Sequence, residues 1–236
     1  DSNGTIGLFA FKEKEGSWLR FSDIDAAATA MALSPDGTQI AIGQGDGTIQ
    51  IRSTSPGHPL VYSLSGHSDK VWDLAYSFDG AKLMTVSEDG STRLWLLGRA
   101  KDCMQILHQS KLRGRTVAFS RNGEYAASAG QDRTVRIWDV VDEDAELHIE
   151  LFCEKAILDI EFSADSRSLI AAGYEGIIHG RFEDGSVQYF GKPSASERVK
   201  IDPAVNRLVA VGLNDTVAFW NLDSGNPWGE SFGSRD

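Results

Sequence analysis

Short apolar runs recur along the whole chain, separated by turn-forming pairs. One recurring run is apolar throughout: Ile40-Ala41-Ile42, Leu83-Met84-Thr85-Val86, Leu169-Ile170-Ala171-Ala172 and Leu208-Val209-Ala210-Val211. That pattern predicts a strand covered on both faces. Before it stand Asp36-Gly37, Asp79-Gly80 and Asn122-Gly123; after it stand Asp46-Gly47, Asp89-Gly90, Asp132-Arg133 and Glu175-Gly176. Asp-Gly and Asn-Gly favour tight hairpin turns because both residues tolerate positive φ. A strand such as Val71-Trp72-Asp73-Leu74-Ala75-Tyr76 precedes each unit's first turn, and one such as Val135-Arg136-Ile137-Trp138 follows the second. A more irregular fourth strand closes the unit, for example Leu147 to Phe152. No 3.6-residue period is sustained, so helices are a poor alternative.

The units keep a register. Asn3, Asp46, Asp89, Asp132 and Glu175 follow one another at intervals of 43 residues, and Asn214 comes 39 after Glu175. Ser34, Ser77, Ser120 and Ser163 share the 43-residue spacing, as do Asp36, Asp79, Asn122 and Asp165. Trp95, Trp138 and Trp220 form another column, with Arg181 at the intervening position. Four short strands per repeat of this length are the signature of propeller blades.

Trp138-Asp139 and Gly66-His67 are similar to the two signature dipeptides of the WD-repeat family, and Asp89 and Asp132 stand six residues before Trp95 and Trp138. The resemblance covers nearly the whole chain. It implies an all-β fold, a β-propeller of four-stranded antiparallel blades, with about five complete blades plus a partial one. The partial blade would occupy residues 1–21, with strands from Thr5 to Phe9 and from Ser17 to Phe21. Repeats are expected at about 22–64, 65–107, 108–150, 151–191 and 192–236. A closed ring removes sheet edges, so the remaining strands are expected from a longer chain with six or more blades. The family's buried hydrogen-bonding set falls on His67, Ser87, Asp89 and Trp95, with Asp132 and Trp138 as counterparts in the next repeat. The first and fourth repeats have Ile51-Arg52 and Gly180-Arg181 at the tryptophan position, so less polar bracing is expected there.

Composition narrows the function. The 236 residues carry 34 acids against 23 bases, a net charge of −11, and are 41% hydrophobic. Such a chain folds, and its charge disfavours broad nucleic-acid binding and docking on anionic membranes. Cys103 and Cys153 form no ligand cluster and read as free thiols of a reduced, cytoplasmic protein. No run approaches the roughly 18 apolar residues of a membrane span. The chain begins Asp1-Ser2-Asn3 without an initiator Met, which reads as a processed form or a piece of a longer polypeptide.

No cofactor-binding, metal-binding or catalytic motif emerges. His58, His67, His108, His148 and His179 show no compact ligand spacing. Gly43-Gln44-Gly45-Asp46-Gly47 lies in a turn and lacks the helix N-terminus that a phosphate loop needs. His67, Asp89 and Ser87 make a triad on paper; the structural reading is that His67 bridges its loop to Ser87 and Trp95 while Asp89 fixes its tautomer. Asp142-Glu143-Asp144 reads as a solvated loop.

The resemblance places the loop entering each first strand and the turn between second and third strands on one face of the disc. The 43-residue columns there give Lys70, Arg113 and Ala156; Trp72, Arg115 and Leu158; and Glu88, Gln131 and Tyr174. Trp, Tyr and Arg are enriched in binding hot spots. Lys70, Trp72, Glu88, Arg113, Arg115, Gln131 and Tyr174 are therefore the candidate partner-binding residues. The expected function is a protein-interaction scaffold or ligand-sensing module within a larger signalling or regulatory protein, with a protein or peptide partner. Two alternatives stand beside it: an enzyme with clustered His, Asp or Glu in a central channel, and RNA or phospho-ligand binding through the basic patch.

Overall fold

A computed structural model describes residues 6–12, 15–21, 27–98, 103–174, 176–182, 186–190, 196–202, 207–212, 216–222 and 224–226. Among them every regular element is a strand. The first sheet comprises β3 (Ala28–Leu33), β4 (Gln39–Gln44), β5 (Ile49–Ser53) and β6 (Leu60–Leu64). The second comprises β7 (Val71–Tyr76), β8 (Lys82–Ser87), β9 (Ser91–Leu96) and β10 (Cys103–Gln109). The third comprises β11 (Gly114–Phe119), β12 (Tyr125–Gly130), β13 (Thr134–Asp139) and β14 (Glu146–Phe152). The fourth comprises β15 (Ile157–Phe162), β16 (Ser168–Gly173), β17 (Gly176–Arg181) and β18 (Val187–Phe190). The fifth shows β19 (Ser196–Asp202), β20 (Arg207–Gly212) and β21 (Val217–Asn221). All pair as antiparallel meanders.

Four sheets thus have four strands where five were expected, and the fifth has three among the described residues. Ahead of them, β1 (Ile6–Lys12) and β2 (Glu15–Phe21) form a two-stranded hairpin. Its first strand lies later and runs further than the expected Thr5 to Phe9, and its second begins two residues before Ser17. Asn3, Glu175 and Asn214 of the turn column lie outside the described residues.

The serine column explains why the first two strands of each unit turn back so tightly. Ser34 Oγ donates to Asp36 at 2.6 Å and accepts the Gln39 N–H at 2.9 Å. Ser77 and Asp79, Ser120 and Asn122, and Ser163 and Asp165 repeat this arrangement. The third residue of these turns is left-handed: glycine at Gly37, Gly80 and Gly123, but Ser166 at φ 60°. Ser166 Oγ accepts the Asn122 N–H of the neighbouring sheet at 3.1 Å.

First strands pack side by side, β3 on β7, β7 on β11, β11 on β15 and β15 on β19. They line an open central cavity of about 690 Å³, with Asp73, Val117, Asp159, Glu161, Arg198 and Lys200 among its walls. Each first strand carries a bulge near its start. Sheet faces meet in apolar clusters, as where Leu74 packs with Ala41, Ile49 and Ile51. Each fully buried aliphatic side chain contributes about 1.5–3 kcal/mol. Leu74, Val117, Ile160 and Val199 occupy one column and are 4%, 6%, 3% and 1% exposed. Their counterpart in the first sheet, Met31, is 57% exposed. At the other end, Val211 is 41% exposed where its counterpart Ala172 is fully covered. Among the described residues, each end sheet therefore leaves an apolar side chain of these columns uncovered.

Candidate partner-binding face

The turn after each second strand is tied to the loop entering the first strand of the same sheet. Glu88 N–H donates to Lys70 O at 2.8 Å, Gln131 N–H to Arg113 O at 3.1 Å and Tyr174 N–H to Ala156 O at 3.3 Å. All three candidate columns therefore share one end of the disc. The first-strand bulges fall on the same end: pairing skips from Val71 to Asp73 and from Gly114 to Thr116. Trp72 and Arg115 are the residues skipped.

Five of the seven candidates converge. Over the Trp72 ring stand Lys70 Nζ at 3.8 Å, Arg115 Cζ at 4.4 Å and Arg113 Cζ at 5.5 Å from the centroid. Glu88 accepts the Trp72 indole N–H, and Arg113 Nη1 donates to both Glu88 oxygens at 3.2 Å. Trp72 is half-buried: it packs against the apolar cluster that holds Met84, Val86 and Val117, and the neighbouring cations cover it further. Gln131 adjoins the cluster only through its backbone bond to Arg113. Tyr174 is exposed one sheet further on, and its side chain takes no part in these polar and ring contacts.

Beneath this face lies a buried relay in the second sheet. Trp95 Nε1 donates to Thr85 Oγ1 at 2.9 Å, and Thr85 Oγ1 lies 2.7 Å from His67 Nε2. His67 Nδ1 is 3.0 Å from Asp89 Oδ2. A carboxylate only accepts, so Nδ1 carries the proton and Nε2 accepts from Thr85. The bridge from His67 to Trp95 thus runs through Thr85, not Ser87. Ser87 Oγ instead donates to Asp69 O at 2.8 Å and accepts the Asp89 N–H at 3.1 Å. Glycine is required where the next strand-entry loop closes in: a Cβ on Gly47 would stand 2.5 Å from His67 O.

Burial depresses the His67 pKa and Arg93 adds to this, against the pull of Asp89, so the ring stays neutral. Burial alone would raise Asp89, but hydrogen bonds from Ser91 Oγ, Ser91 N–H and Ser68 N–H, with His67 alongside, hold it at about 2. In the third sheet Trp138 Nε1 reaches Ser128 Oγ at a longer 3.4 Å, and Asp132 accepts from Arg136 at 2.6 Å. The first sheet departs from the expected weak polar bracing. Its Arg52 is buried, donating to Gln50 Oε1 at 2.8 Å and His58 O at 3.2 Å. Arg181 of the fourth sheet is exposed.

The channel carries carboxylates that the sequence columns did not single out. Asp73 accepts the Val117 N–H and Asp159 the Val199 N–H, each at 3.0 Å and each across a sheet boundary. Glu161 accepts from Lys200 Nζ at 3.1 Å. Burial pushes Asp73 up to about 6, against the N–H groups of Val117 and Leu74. These acids are spent on backbone and lysine partners. Among the described residues, no three metal-ligating side chains come together and no helix is long and apolar enough to cross a membrane.

A family model described as "WD domain, G-beta repeat" matches residues 22–53, 58–95 and 103–139. The chain is similar to apoptotic protease-activating factor 1 of Danio rerio, 28% identical over 63% of this chain and 12% of that protein. It is also similar to WD repeat-containing protein 1 of Xenopus tropicalis, 29% identical over 47% of this chain and 20% of that protein. Cilia- and flagella-associated protein 52 of Sus scrofa matches at 22% identity over 81% of this chain and 31% of its own length. These matches therefore span less than a third of each relative. Among solved structures, U3-55K shares the fold with a TM-score of 0.73 at 19% identity, over 86% of this chain and 64% of that one.

Proposed function

The chain belongs to the WD-repeat β-propeller family, whose members generally act as scaffolds for protein interactions, and from that premise we propose that it is a binding module with its docking face around Trp72. The observation that carries this reading is convergence. Lys70, Trp72 and Glu88 of the second sheet meet Arg113 and Arg115 of the third in one cluster. Buried backbone pairing and apolar packing hold the sheets beneath it, so these side chains are presented with little ordering cost and most contact energy survives as affinity. Gln131 and Tyr174 extend the same face. The partner is a protein or peptide. A place within a longer regulatory protein fits the exposed side chains of Met31 and Val211, which further sheets would cover.

The test is capture of a partner by pull-down, followed by its affinity for Trp72→Ala and Arg115→Ala, each checked for intact folding by circular dichroism. A docking hot spot loses at least ~2 kcal/mol, about thirtyfold in Kd. Wild-type affinity in both variants would move the interface to the opposite face or the rim.

A further inference from the structure

We infer that the Trp72 cluster is a receptor for carboxylates, and that the partner docks there through a short acidic segment of its chain. This rests on the docking face proposed above and adds the chemistry of the partner. An indole has two faces, so of the three cations over Trp72 at least two share one. Lys70 and Arg115 are held at 3.8 Å and 4.4 Å by stacking. Among the described residues, neither side chain has a carboxylate within ion-pair reach. Glu88 is the single acid in the cluster, and it is bonded to Arg113 and to the indole N–H. Three positive charges around one ring, against one negative, repel one another until an anion arrives.

Glu88 also shows which anion fits. One carboxylate already spans the indole N–H and a guanidinium here, so the donors are set for planar two-oxygen acceptors. Arg115 offers a fork of N–H donors that a carboxylate takes in pairs, and Lys70 offers a point charge for a second acid. Leu112, 48% exposed in the loop before Arg113, gives an apolar neighbour of those acids a place to rest. A long polyanion is a worse match: the cationic surface is local, while the chain as a whole carries −11, so a nucleic-acid backbone extending past the cluster meets repulsion.

The probe is fluorescein-labelled hexaglutamate titrated against the full chain up to ~1 mM, with hexaglutamine and hexathymidylate as comparators. Anisotropy and indole emission are both read. We expect saturable binding of hexaglutamate, none of hexaglutamine, and weakening with added salt. Lys70→Gln and Arg115→Gln should each weaken hexaglutamate by ~tenfold, and Trp72→Phe should abolish the emission change. Absence of saturable hexaglutamate binding, or wild-type binding in both glutamine variants, overturns the inference. Hexathymidylate binding as tightly, with the same sensitivity, overturns it in favour of nucleic acid. A captured partner that is lost with Trp72→Ala but indifferent to both glutamine variants removes the acidic segment and leaves the docking face standing. Indifference to all three removes both.

Discussion

Replacing Thr85 by valine should destabilise the second sheet more than its size suggests. The two side chains have the same shape, so no cavity opens and no packing is lost. What disappears is a fully buried hydroxyl that accepts the Trp95 N–H at 2.9 Å and serves His67 Nε2 at 2.7 Å. Both partners are left buried without a substitute, since His67 and Trp95 are 7% and 2% exposed. Each orphaned group costs about 1–3 kcal/mol, and the added methyl returns part of this. The net loss is about 2–4 kcal/mol. Thr85→Ser keeps the hydroxyl and loses a methyl, at about 1 kcal/mol. Ser128→Ala in the third sheet breaks a longer 3.4 Å bond to Trp138 and should also cost about 1 kcal/mol. The assay is urea unfolding followed by tryptophan emission and circular dichroism. With a slope of about 2–3 kcal/mol/M, Thr85→Val should lower the midpoint by about 1 M at unchanged slope. A valine variant as stable as the serine variant would refute the relay as a source of stability.

Further outcomes follow from the channel and from the turns. Asp73, raised to about 6 from an ordinary value of 3.8, contributes stability that is fully present below pH 3.8 and is lost as pH rises through about 6. At pH 7.5 it therefore costs about 3 kcal/mol, and Asp73→Asn should raise the unfolding midpoint there, with the gain vanishing near pH 4. His67 works the other way: depressed below its usual 6.5, its contribution is present above pH 6.5 and is lost as pH falls through its folded value. Asp73→Asn removes the compensating term, so its midpoint should fall more steeply than wild type between pH 7 and pH 5; parallel profiles would contradict this. Arg133→Gly should raise Tm, because Arg133 holds φ 63° at a cost of about 1–2 kcal/mol. Ser166→Gly should not, because the same relief at φ 60° removes the acceptor of the Asn122 N–H; equal gains in the two variants would dismiss that cross-sheet bond.

The strand order, the turns and the repeat phase were legible because each rests on local chemistry repeated at a fixed spacing. The candidate face was legible too, since its columns vary where the turn residues do not. Its internal arrangement was not. That Glu88 binds the Trp72 indole and Arg113 together depends on how two sheets are set against each other, which no single column encodes. The Thr85 relay has a weaker signature in the sequence. Thr85 and Ser128 each stand ten residues before a tryptophan, whereas the same column holds Ile42 before Arg52 and Ala171 before Arg181. A hydroxyl inside an otherwise apolar strand marks a buried donor that needs it. Trp220 breaks the pairing, with Ala210 in that place. Arg52 departs from expectation because arginine at a core column suggests a missing brace; here Gln50, two residues earlier on the same strand, supplies its partner. The channel aspartates leave no local signature because their partners are N–H groups about 40 residues away.

The unit repeated in the sequence is out of phase with the sheet. The matched stretch 58–95 takes in β6 of the first sheet and then β7, β8 and β9 of the second, and 103–139 is staggered in the same way. A recombination event therefore needs no privileged breakpoint to change the number of blades. Joining Asp46 to Gly90 removes 43 residues, restores an Asp-Gly turn and leaves a hybrid sheet of β3, β4, β9 and β10. Joining Asp36 to Gly80 also removes 43 residues and leaves β3, β8, β9 and β10. Either crossover deletes one blade's worth of chain and no fraction of one. Copy number can drift by whole blades while each junction stays foldable, and the cost falls on the interface between neighbours.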